Sequence, residues 1–253
     1  YHGRITDGAT NSMSIVKNGA GTQIFDNNSG TASDYTGTTT INAGTLALVS
    51  NTSNNNIASS SLITVDAGAS LDVTGITAAG GFEIVSGQTL AGEGNVSGDT
   101  TINSGGFLSA GDGGIGTLTF DALVDVSSVG SNSMLFDLAS PGFSDLVSMS
   151  SSELDIGSGS FDLDAFTFTD LSGPGSRIGV GTYTLFDANS LALGNSLGST
   201  VFTESLLGYA TATLFESGGD IFLSVTAVPE PSSTALLGLG GLALMLRRKR
   251  SAA

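Results

Sequence analysis

Thr39-Thr40-Ile41-Asn42-Ala43-Gly44-Thr45-Leu46 is an octapeptide whose pattern returns three times in this chain of 253 residues. Each copy has an aliphatic residue, two small or polar residues, a glycine and then a leucine. The further copies span 63–71, 82–90 and 100–108, and the aliphatic residues that begin the four copies are Ile41, Val65, Ile84 and Ile102. The intervals between successive members of this series are the lengths expected of one coil in a β-solenoid, within the period range of stacked repeats.

The residue types within one copy predict a strand, a tight turn and a second strand. β-branched residues favour a short strand whose first aliphatic side chain points inward, and the glycine adopts a backbone angle that a side chain would disfavour. We therefore expect the four aliphatic residues on inward ladders and the turn glycines at matching corners. These glycines are Gly44, Gly68, Gly87 and Gly105. Antiparallel hairpins of a β-sandwich also produce regular glycine turns, but recurrence of the whole unit favours the solenoid, because each coil must bury its apolar face against the next.

Residues 117–227 differ from the repeat-bearing residues 15–116, because phenylalanines cluster in them. Alternating or apolar strands are predicted at 118–120, 134–138, 161–168, 183–186 and 221–225, with glycine turns between them. We expect wider coils or a capping sheet in this part, since an open solenoid end exposes unpaired strand edges. Residues 187–197 leave room for a turn of helix.

The C-terminal residues 228–253 form a tail of three parts. In Val228-Pro229-Glu230-Pro231 two prolines hold the backbone extended and remove two N–H donors, which leaves a peptide that a processing enzyme can grip. The uncharged run 232–246 predicts a membrane-seeking helix, and Arg247-Arg248-Lys249-Arg250 predicts a stop-transfer cluster that stays on the cytoplasmic side. The run is shorter than the roughly 18 apolar residues usual for a membrane span, and the alternative is a buried C-terminal helix.

The charge balance of the chain is strongly acidic, with 23 Asp and Glu residues against 7 Lys and Arg residues. Four of the basic residues lie in the tail, so residues 1–246 carry three basic residues against all 23 acidic ones, a net charge of −20. This charge repels nucleic acid and anionic membrane surfaces, and neither is expected as a partner of the body. The chain has no cysteine, which excludes disulfides and thiolate metal sites.

Residue types that carry catalysis are sparse, and we expect no enzyme activity and no cofactor. His2 is the one histidine, which excludes histidine-dependent triads and zinc sites. Paired carboxylates remain at Asp162 with Asp164 and at Glu153 with Asp155, and such pairs serve glycoside chemistry in some enzymes. Alternation along a strand would place each pair on one face, where solvated carboxylates are the ordinary interpretation.

The stretch Gly111-Asp112-Gly113-Gly114-Ile115-Gly116-Thr117-Leu118 invites comparison with calcium-binding nonapeptide repeats. Leu118 stands where that motif has aspartate or asparagine, and the stretch occurs once. It therefore predicts a wide turn between two regions, and no metal site is expected.

The tail resembles the PEP-CTERM sorting signal of Gram-negative bacteria in the order of its proline-glutamate-proline motif, apolar run and basic cluster. That resemblance implies cleavage near the proline pair by a membrane protease of the exosortase type, after transient anchoring in the inner membrane. It also implies export to the cell surface or the extracellular space. Extracellular polysaccharide is a further candidate partner.

The repeats resemble the autotransporter-associated β-strand repeat over roughly residues 15–110, most clearly at 35–48. That resemblance implies an all-β fold: a right-handed parallel β-helix (solenoid) of the passenger type. With the strands and tail described above, we expect a C-terminal β cap and a single C-terminal hydrophobic helix. Repeats of this kind are scaffolds and specify no activity.

Residues 1–14 are interpreted as the ragged start of a chain that has lost a signal peptide and further repeats upstream. Three classes of function remain. The leading class is a structural or adhesive surface or matrix protein. The alternatives are a glycan-binding or glycan-cleaving β-helix, and a passive spacer for an active domain that precedes Tyr1.

Overall fold

The computed structural model describes residues 3–26, 33–50, 57–78, 81–171, 178–198, 201–202 and 210–227. The hydrophobic helix expected at 232–246 lies outside these residues, as do His2 and the remainder of the tail. Among the residues that are described, no helix is long and apolar enough to cross a membrane.

The described part of the chain is all-β, with 22 strands and one short 3-10 helix at Leu163–Ala165. The first eleven strands are β1 (Ile15–Lys17), β2 (Thr22–Asp26), β3 (Thr39–Ile41), β4 (Gly44–Ser50), β5 (Leu62–Val65), β6 (Ala69–Ile76), β7 (Phe82–Ile84), β8 (Thr89–Gly92), β9 (Asn95–Ser97), β10 (Thr100–Ile102) and β11 (Phe107–Ala110). The others are β12 (Thr117–Phe120), β13 (Val124–Asp125), β14 (Met134–Leu138), β15 (Leu146–Asp155), β16 (Ser158–Phe161), β17 (Phe166–Asp170), β18 (Gly181–Leu191), β19 (Ser196–Leu197), β20 (Val201–Phe202), β21 (Ala210–Ser217) and β22 (Asp220–Ala227).

The strands form two long sheets and a shorter branch. Sheet 1 has the order β1-β3-β5-β8-β11-β14-β17. Sheet 2 has the order β2-β4-β6-β9-β12-β15-β18 and continues through β22, β21 and β20. The branch, called the side ladder here, consists of β7, β10 and β13 and joins sheet 2 where β13 pairs with β15. A pair of short strands, β16 and β19, forms a separate two-stranded sheet.

Pairing along sheet 1 is parallel throughout, and it is parallel in sheet 2 from β2 to β18. Each pass of the chain adds a strand beside the strand of the pass before: Ile15 pairs with Thr39, Thr39 with Ile63, and Ile63 with Leu90. Long sheets of parallel strands in this order are consistent with a parallel β-helix. Direction changes at the end of sheet 2, where β18, β22, β21 and β20 pair antiparallel.

One hydrophobic cluster extends along the described chain from Phe25 to Val225. Residues in register on sheet 1 form a column within it, and every member is buried: Thr39, Ile63, Leu90, Leu108, Met134 and Phe166. Because alternate residues of a strand point to opposite faces, burial of every second residue marks the inward face of the sheet.

The four aliphatic residues that begin the repeat copies are fully buried, but they form two ladders. Ile41 pairs with Val65 in sheet 1, whereas Ile84 pairs with Ile102 in the side ladder. The turn glycines divide in the same way. Two lie at the corner between sheet 1 and sheet 2, and two lie at the corner between the side ladder and sheet 1. Gly44 and Gly68 form the first pair, and Gly87 and Gly105 form the second.

The expectation of one set of four matching corners is therefore wrong, and the reason is physical. The repeat specifies a strand, a left-handed glycine and a second strand, and all four glycines do have positive φ, between 68° and 81°. That local unit forms a corner wherever two sheets meet. The interval from Val65 to Ile84 is accordingly not a coil length, since Val65 pairs with Gly92 in the next turn.

Strands occur at four of the five positions predicted in residues 117–227, as parts of β12, β14, β18 and β22. The predicted strand at 161–168 is interrupted by the 3-10 helix at Leu163–Ala165, which separates β16 from β17. The turn of helix allowed within 187–197 is absent from this described stretch, because β18 continues to Leu191 and a hydrogen-bonded turn follows, with Asn195 N donating to Ala192 O at 3.0 Å.

Candidate functional site

The residues with a predicted sorting role lie outside the described residues. These are Val228, Pro229, Glu230, Pro231, Arg247, Arg248, Lys249 and Arg250. The chemistry that the structure does describe consists of acidic side chains, a buried network of hydroxyl groups and one buried carboxyl group.

The carboxylates of Asp162 and Asp164 do not alternate along a strand as the sequence pattern predicted. Asp162 is the N-cap of the 3-10 helix, and its Oδ1 accepts a hydrogen bond of 3.0 Å from the backbone N–H of Asp164. The side chain therefore satisfies a helix terminus, which is the usual use of aspartate at this position. Asp164 is exposed.

The second pair, Glu153 and Asp155, lies on the outward side of β15, where buried Ser152 and Leu154 alternate with it. Asp155 Oδ1 accepts a hydrogen bond of 2.9 Å from Gly157 N, which closes a turn. Asp155 thus fixes local backbone geometry. In the described residues, no group of three or more histidine, cysteine, aspartate or glutamate side chains has an arrangement that could hold a metal ion.

Asp145 is the buried carboxyl group, and it connects three segments of the chain. Its side chain is 1% exposed, with Oδ1 accepting from Gly116 N at 2.8 Å and Oδ2 accepting from Asp137 N at 2.7 Å. Its own N–H donates to Asp137 O at 2.8 Å. We call this arrangement the Asp145 clip. It joins the entry to β12, the strand β14 and the entry to β15 at the junction between residues 15–116 and 117–227.

Burial raises the pKa of Asp145 to about 7. The two backbone N–H donors oppose this shift because they stabilise the charged form, whereas the carboxylates of Asp137 and Glu93 reinforce it. Glu93 approaches the same place, since a Cβ added at Gly116 would lie 2.6 Å from Glu93 Cγ. Desolvation is the largest cause, so the charged form of this structural carboxyl group is less favourable than that of an ordinary aspartate.

The turn predicted from residue 111 to residue 118 packs against the Asp145 side chain. Gly111 bridges Gly92 with two backbone hydrogen bonds of 3.1 and 2.8 Å. A Cβ at Gly111 would lie 2.2 Å from Gly114 O and 2.9 Å from Asp145 Oδ1. The glycines therefore admit a close approach of backbone to carboxyl group, which a side chain would prevent.

A second polar cluster is buried at the start of strands β3 and β5 of sheet 1. Tyr35 Oη is 2.6 Å from Thr39 Oγ1, which is 2.9 Å from Ser60 Oγ, and Ser60 donates to Gly37 O at 2.9 Å. The next coil contributes Gln88, whose Nε2 donates to Ile57 O and Ser60 O at 2.8 and 2.9 Å.

The network ends at the carbonyl oxygen of Gly37, which can only accept a hydrogen bond. Tyr35 can therefore donate to Thr39, and Thr39 can donate to Ser60. Burial raises the pKa of Tyr35 to about 12, against the opposing effect of its hydrogen bonds to Thr39 and Ser60. The Tyr35 phenol is fully buried and stays protonated, so it offers no activated nucleophile. Its hydrogen bond to Thr39, which in turn contacts Ser60, links two successive strands of sheet 1.

Neither polar cluster was predicted from the sequence. Asp145 stands before the strand-like residues Leu146 and Val147, but nothing local marks it as buried, because the backbone N–H groups that donate to it are 8 and 29 residues away. Tyr35 precedes the most regular repeat copy. Its distance from Ser60 in sequence hides the contact, which only the stacking of one coil on another creates.

Two family models match separate parts of the chain. Residues 15–48 match the model of the passenger-associated-transport-repeat, and residues 227–250 match the model of the PEP-CTERM protein-sorting motif. No curated protein and no solved structure matches the chain. Both resemblances noted in the sequence are confirmed: the chain combines a repeat of the passenger-associated type, spanning β1 to β4, with a PEP-CTERM sorting motif that begins where β22 ends.

Proposed function

We propose that this chain is a structural or adhesive protein of the bacterial surface or extracellular matrix. The PEP-CTERM motif indicates export in Gram-negative bacteria and processing by exosortase, a membrane protease. The observation that carries the proposal is the position of that motif. It starts at residue 227, the last residue of β22, so cleavage near Pro229 and Pro231 would release the body with every described strand intact.

The body is proposed to be a right-handed parallel β-helix. Its parallel pairing and its alternation between sheets support this, and parallel β connections are right-handed in about 98% of cases. A stack of coils suits a structural role because each coil is stabilised by its neighbours over the whole length. The antiparallel strands β20 to β22 then act as a cap at the end of sheet 2.

We propose no catalytic activity for the body. The support comes from the use of its acidic groups: Asp155 and Asp162 accept backbone hydrogen bonds in turns, and Asp145 is sealed in the clip. These three carboxyl groups serve backbone donors, and none of them is placed as the proton donor or acceptor of a general acid and base pair.

Processing of the tail is the test of the proposed sorting. Mass spectrometry of the surface fraction from an exosortase-containing host should detect body peptides and no peptide from residue 236 onward. The variant Glu230→Ala should keep its tail and remain with the inner membrane. Pro141→Ala, which changes a proline outside the motif, is the matched control and should be processed normally. Intact tails on mature, surface-located protein would contradict the proposal.

A further inference from the structure

A groove crosses three successive coils at the corner between sheet 2 and the side ladder. It has a volume of about 590 Å³, within the range of roughly 300–1,000 Å³ typical of small-ligand sites. We call it the corner groove and define it by Thr74, Thr77, Asp99, Thr101, Leu123 and Asp125. These residues come from the end of β6, the entry to β10 and the entry to β13, so stacking of the coils creates it.

Two carboxylates of the corner groove are held in place by the backbone. Asp99 Oδ1 accepts a hydrogen bond of 3.2 Å from Leu123 N, and Asp125 Oδ1 accepts one of 2.8 Å from Ser127 N. Among the described residues, no donor lies on the Oδ2 atom of either group. Each side chain is therefore oriented by one oxygen and presents the other, which reduces the entropy lost when a ligand binds.

Hydroxyl groups and an aliphatic floor complete the lining. Thr101 pairs in register with Asp125, so a hydroxyl group and a carboxylate stand on neighbouring strands about 4.8 Å apart. Ala78 and Leu123 are partly exposed and contribute aliphatic carbon to the floor. This combination fits a polyol, whose hydroxyl groups donate to carboxylates while its C–H face covers aliphatic carbon.

The charge of the corner groove selects among sugars. Its described lining contains Asp99 and Asp125 and no basic residue, so a uronate or a sulfated sugar would meet two carboxylates without a counter-charge among these residues. A neutral sugar meets no such repulsion. In the described part of the chain, no group of three histidine, cysteine, aspartate or glutamate side chains that could hold a metal ion occurs.

We propose that the corner groove binds a segment of a neutral oligosaccharide through Asp99 and Asp125. This rests on the proposed adhesive function and names its ligand class. Hydrogen bonds to a charged acceptor are stronger than those to a neutral one, so Asp99 and Asp125 carry most of the specificity, and Thr101 closes one side of the groove.

Isothermal titration calorimetry of the purified, exported protein tests the proposal. The probes are neutral gluco-, manno- and galacto-oligosaccharides, with oligouronates as the acidic comparison. At least one neutral probe should bind, and the oligouronates should bind at least tenfold more weakly. The double variant Asp99→Asn with Asp125→Asn keeps acceptors for both backbone donors and should lose at least tenfold in affinity. Thr101→Arg should abolish binding by filling the groove.

Asp162→Asn is the matched control, since Asp162 also accepts an N–H two residues ahead but lies outside the corner groove; its affinity should be unchanged. If no neutral probe binds, or if a chelator abolishes binding, direct recognition of a sugar by the groove is overturned. Processing of the tail tests the proposed function separately, so the two proposals can fail independently. Binding that survives both groove variants would refute this site and leave an adhesive role elsewhere on the surface.

Discussion

The repeat region, residues 15–116, and the C-terminal region, residues 117–227, build the same sheets with different interiors. In the first, Ile15, Thr39 and Ile63 are paired at equal intervals along the chain, and the following intervals, from Ile63 to Leu90 and from Leu90 to Leu108, differ from these. In the second, Met134 pairs with Phe166, and the segment of chain between these two partners is longer than one coil of the repeat region. A longer coil encloses more space, and that space must be filled to the density of a protein interior.

Phenylalanine supplies the additional volume. Phe186 contacts three other rings, with centroid distances of 5.6 Å to Phe136, 6.0 Å to Phe161 and 6.4 Å to Phe166. Phe166 also stacks on Phe168 at 5.4 Å. In the repeat region the columns of sheet 1 contain smaller residues: Thr39, Ile63 and Leu90 in one, and Ile41, Val65 and Gly92 in the other. Coil length and side-chain size therefore change together, while the parallel pairing remains the same.

The largest effect is expected from a charge on an inward ladder of the repeat region. Ile84 is fully buried and pairs with Ile102. Ile84→Asp would bury an unpaired carboxylate and should cost several kcal/mol, about 4 kcal/mol or more. Urea unfolding followed by circular dichroism measures this. The outward neighbour Glu83→Asp is the control and should change stability by less than about 0.5 kcal/mol. Equal effects of the two changes would show that β7 does not face the core.

A cavity in the phenylalanine cluster should be the next largest effect. Phe186→Ala removes a fully buried ring and should cost about 3–5 kcal/mol, whereas Ile63→Val in the repeat region should cost about 0.5–1.5 kcal/mol. The same urea titration compares them. If Phe186→Ala cost no more than Ile63→Val, the rings would not fill the wider coils, and the contrast between the two regions would fail.

Alanine substitutions at two glycines of the repeat region distinguish the effect of backbone strain on stability from the effect of steric crowding. Gly44 and Gly68 have φ of 68° and 78°, so alanine is strained at both, by roughly 1–2 kcal/mol. A Cβ at Gly44 would also lie 2.5 Å from Gly19 O and from Gly21 O, whereas one at Gly68 meets nothing within 4 Å. Gly44→Ala should therefore destabilise by about 1–2 kcal/mol more than Gly68→Ala. Thermal unfolding of the two variants measures the difference, and equal losses would contradict close stacking at that corner.

The sequence was informative where structure is local. The repeat copies predicted strand–turn–strand units, and Ile41, Val65, Ile84 and Ile102 are buried as their pattern indicates. The division of those units between two corners could not be predicted, because Gly44 and Gly87 lie in similar strand–turn–strand patterns and nothing in those patterns states which sheets they join. The 3-10 helix at Leu163–Ala165 was missed for a related reason, since Asp162 acts as its cap where alternation alone favoured a strand.

The candidate sites also divide into a local one, which the sequence predicted, and non-local ones, which it did not. The tail motif is a contiguous stretch and was recognised from sequence, as the family match confirms. The Asp145 clip and the corner groove depend on residues from three segments each. Thr74, Asp99 and Asp125, for example, come together only through the order of stacking.

The Asp145 clip predicts an unusual dependence of stability on pH at the junction of the two regions. Its pKa is about 7 in the folded protein against 3.8 for an ordinary aspartate. The folded state therefore binds a proton more tightly than the unfolded state does. The stabilising contribution of this proton is fully present below the ordinary aspartate pKa and is lost as the pH rises through about 7, which is opposite to the usual behaviour of a salt-bridged aspartate. Asp137 and Glu93 face the same carboxyl group and strengthen the effect.

General relief of repulsion in a body of net charge −20 has the same sign, so the variant Asp145→Asn is needed to isolate the clip. Asparagine cannot titrate, and its Nδ2 would face a backbone donor where Asp145 offers an acceptor, so the variant should be less stable than the wild type. The free energy of unfolding, measured at intervals from pH 4 to pH 8, should fall less steeply in Asp145→Asn than in the wild type, with the slopes differing most between the two pKa values of 3.8 and about 7 and converging above pH 7. Asp125→Asn, which removes an aspartate that accepts one turn hydrogen bond, is the control and should keep the steeper wild-type slope below pH 7. Parallel curves for the wild type and Asp145→Asn would show that Asp145 is already charged at the junction and that its two N–H donors outweigh its burial.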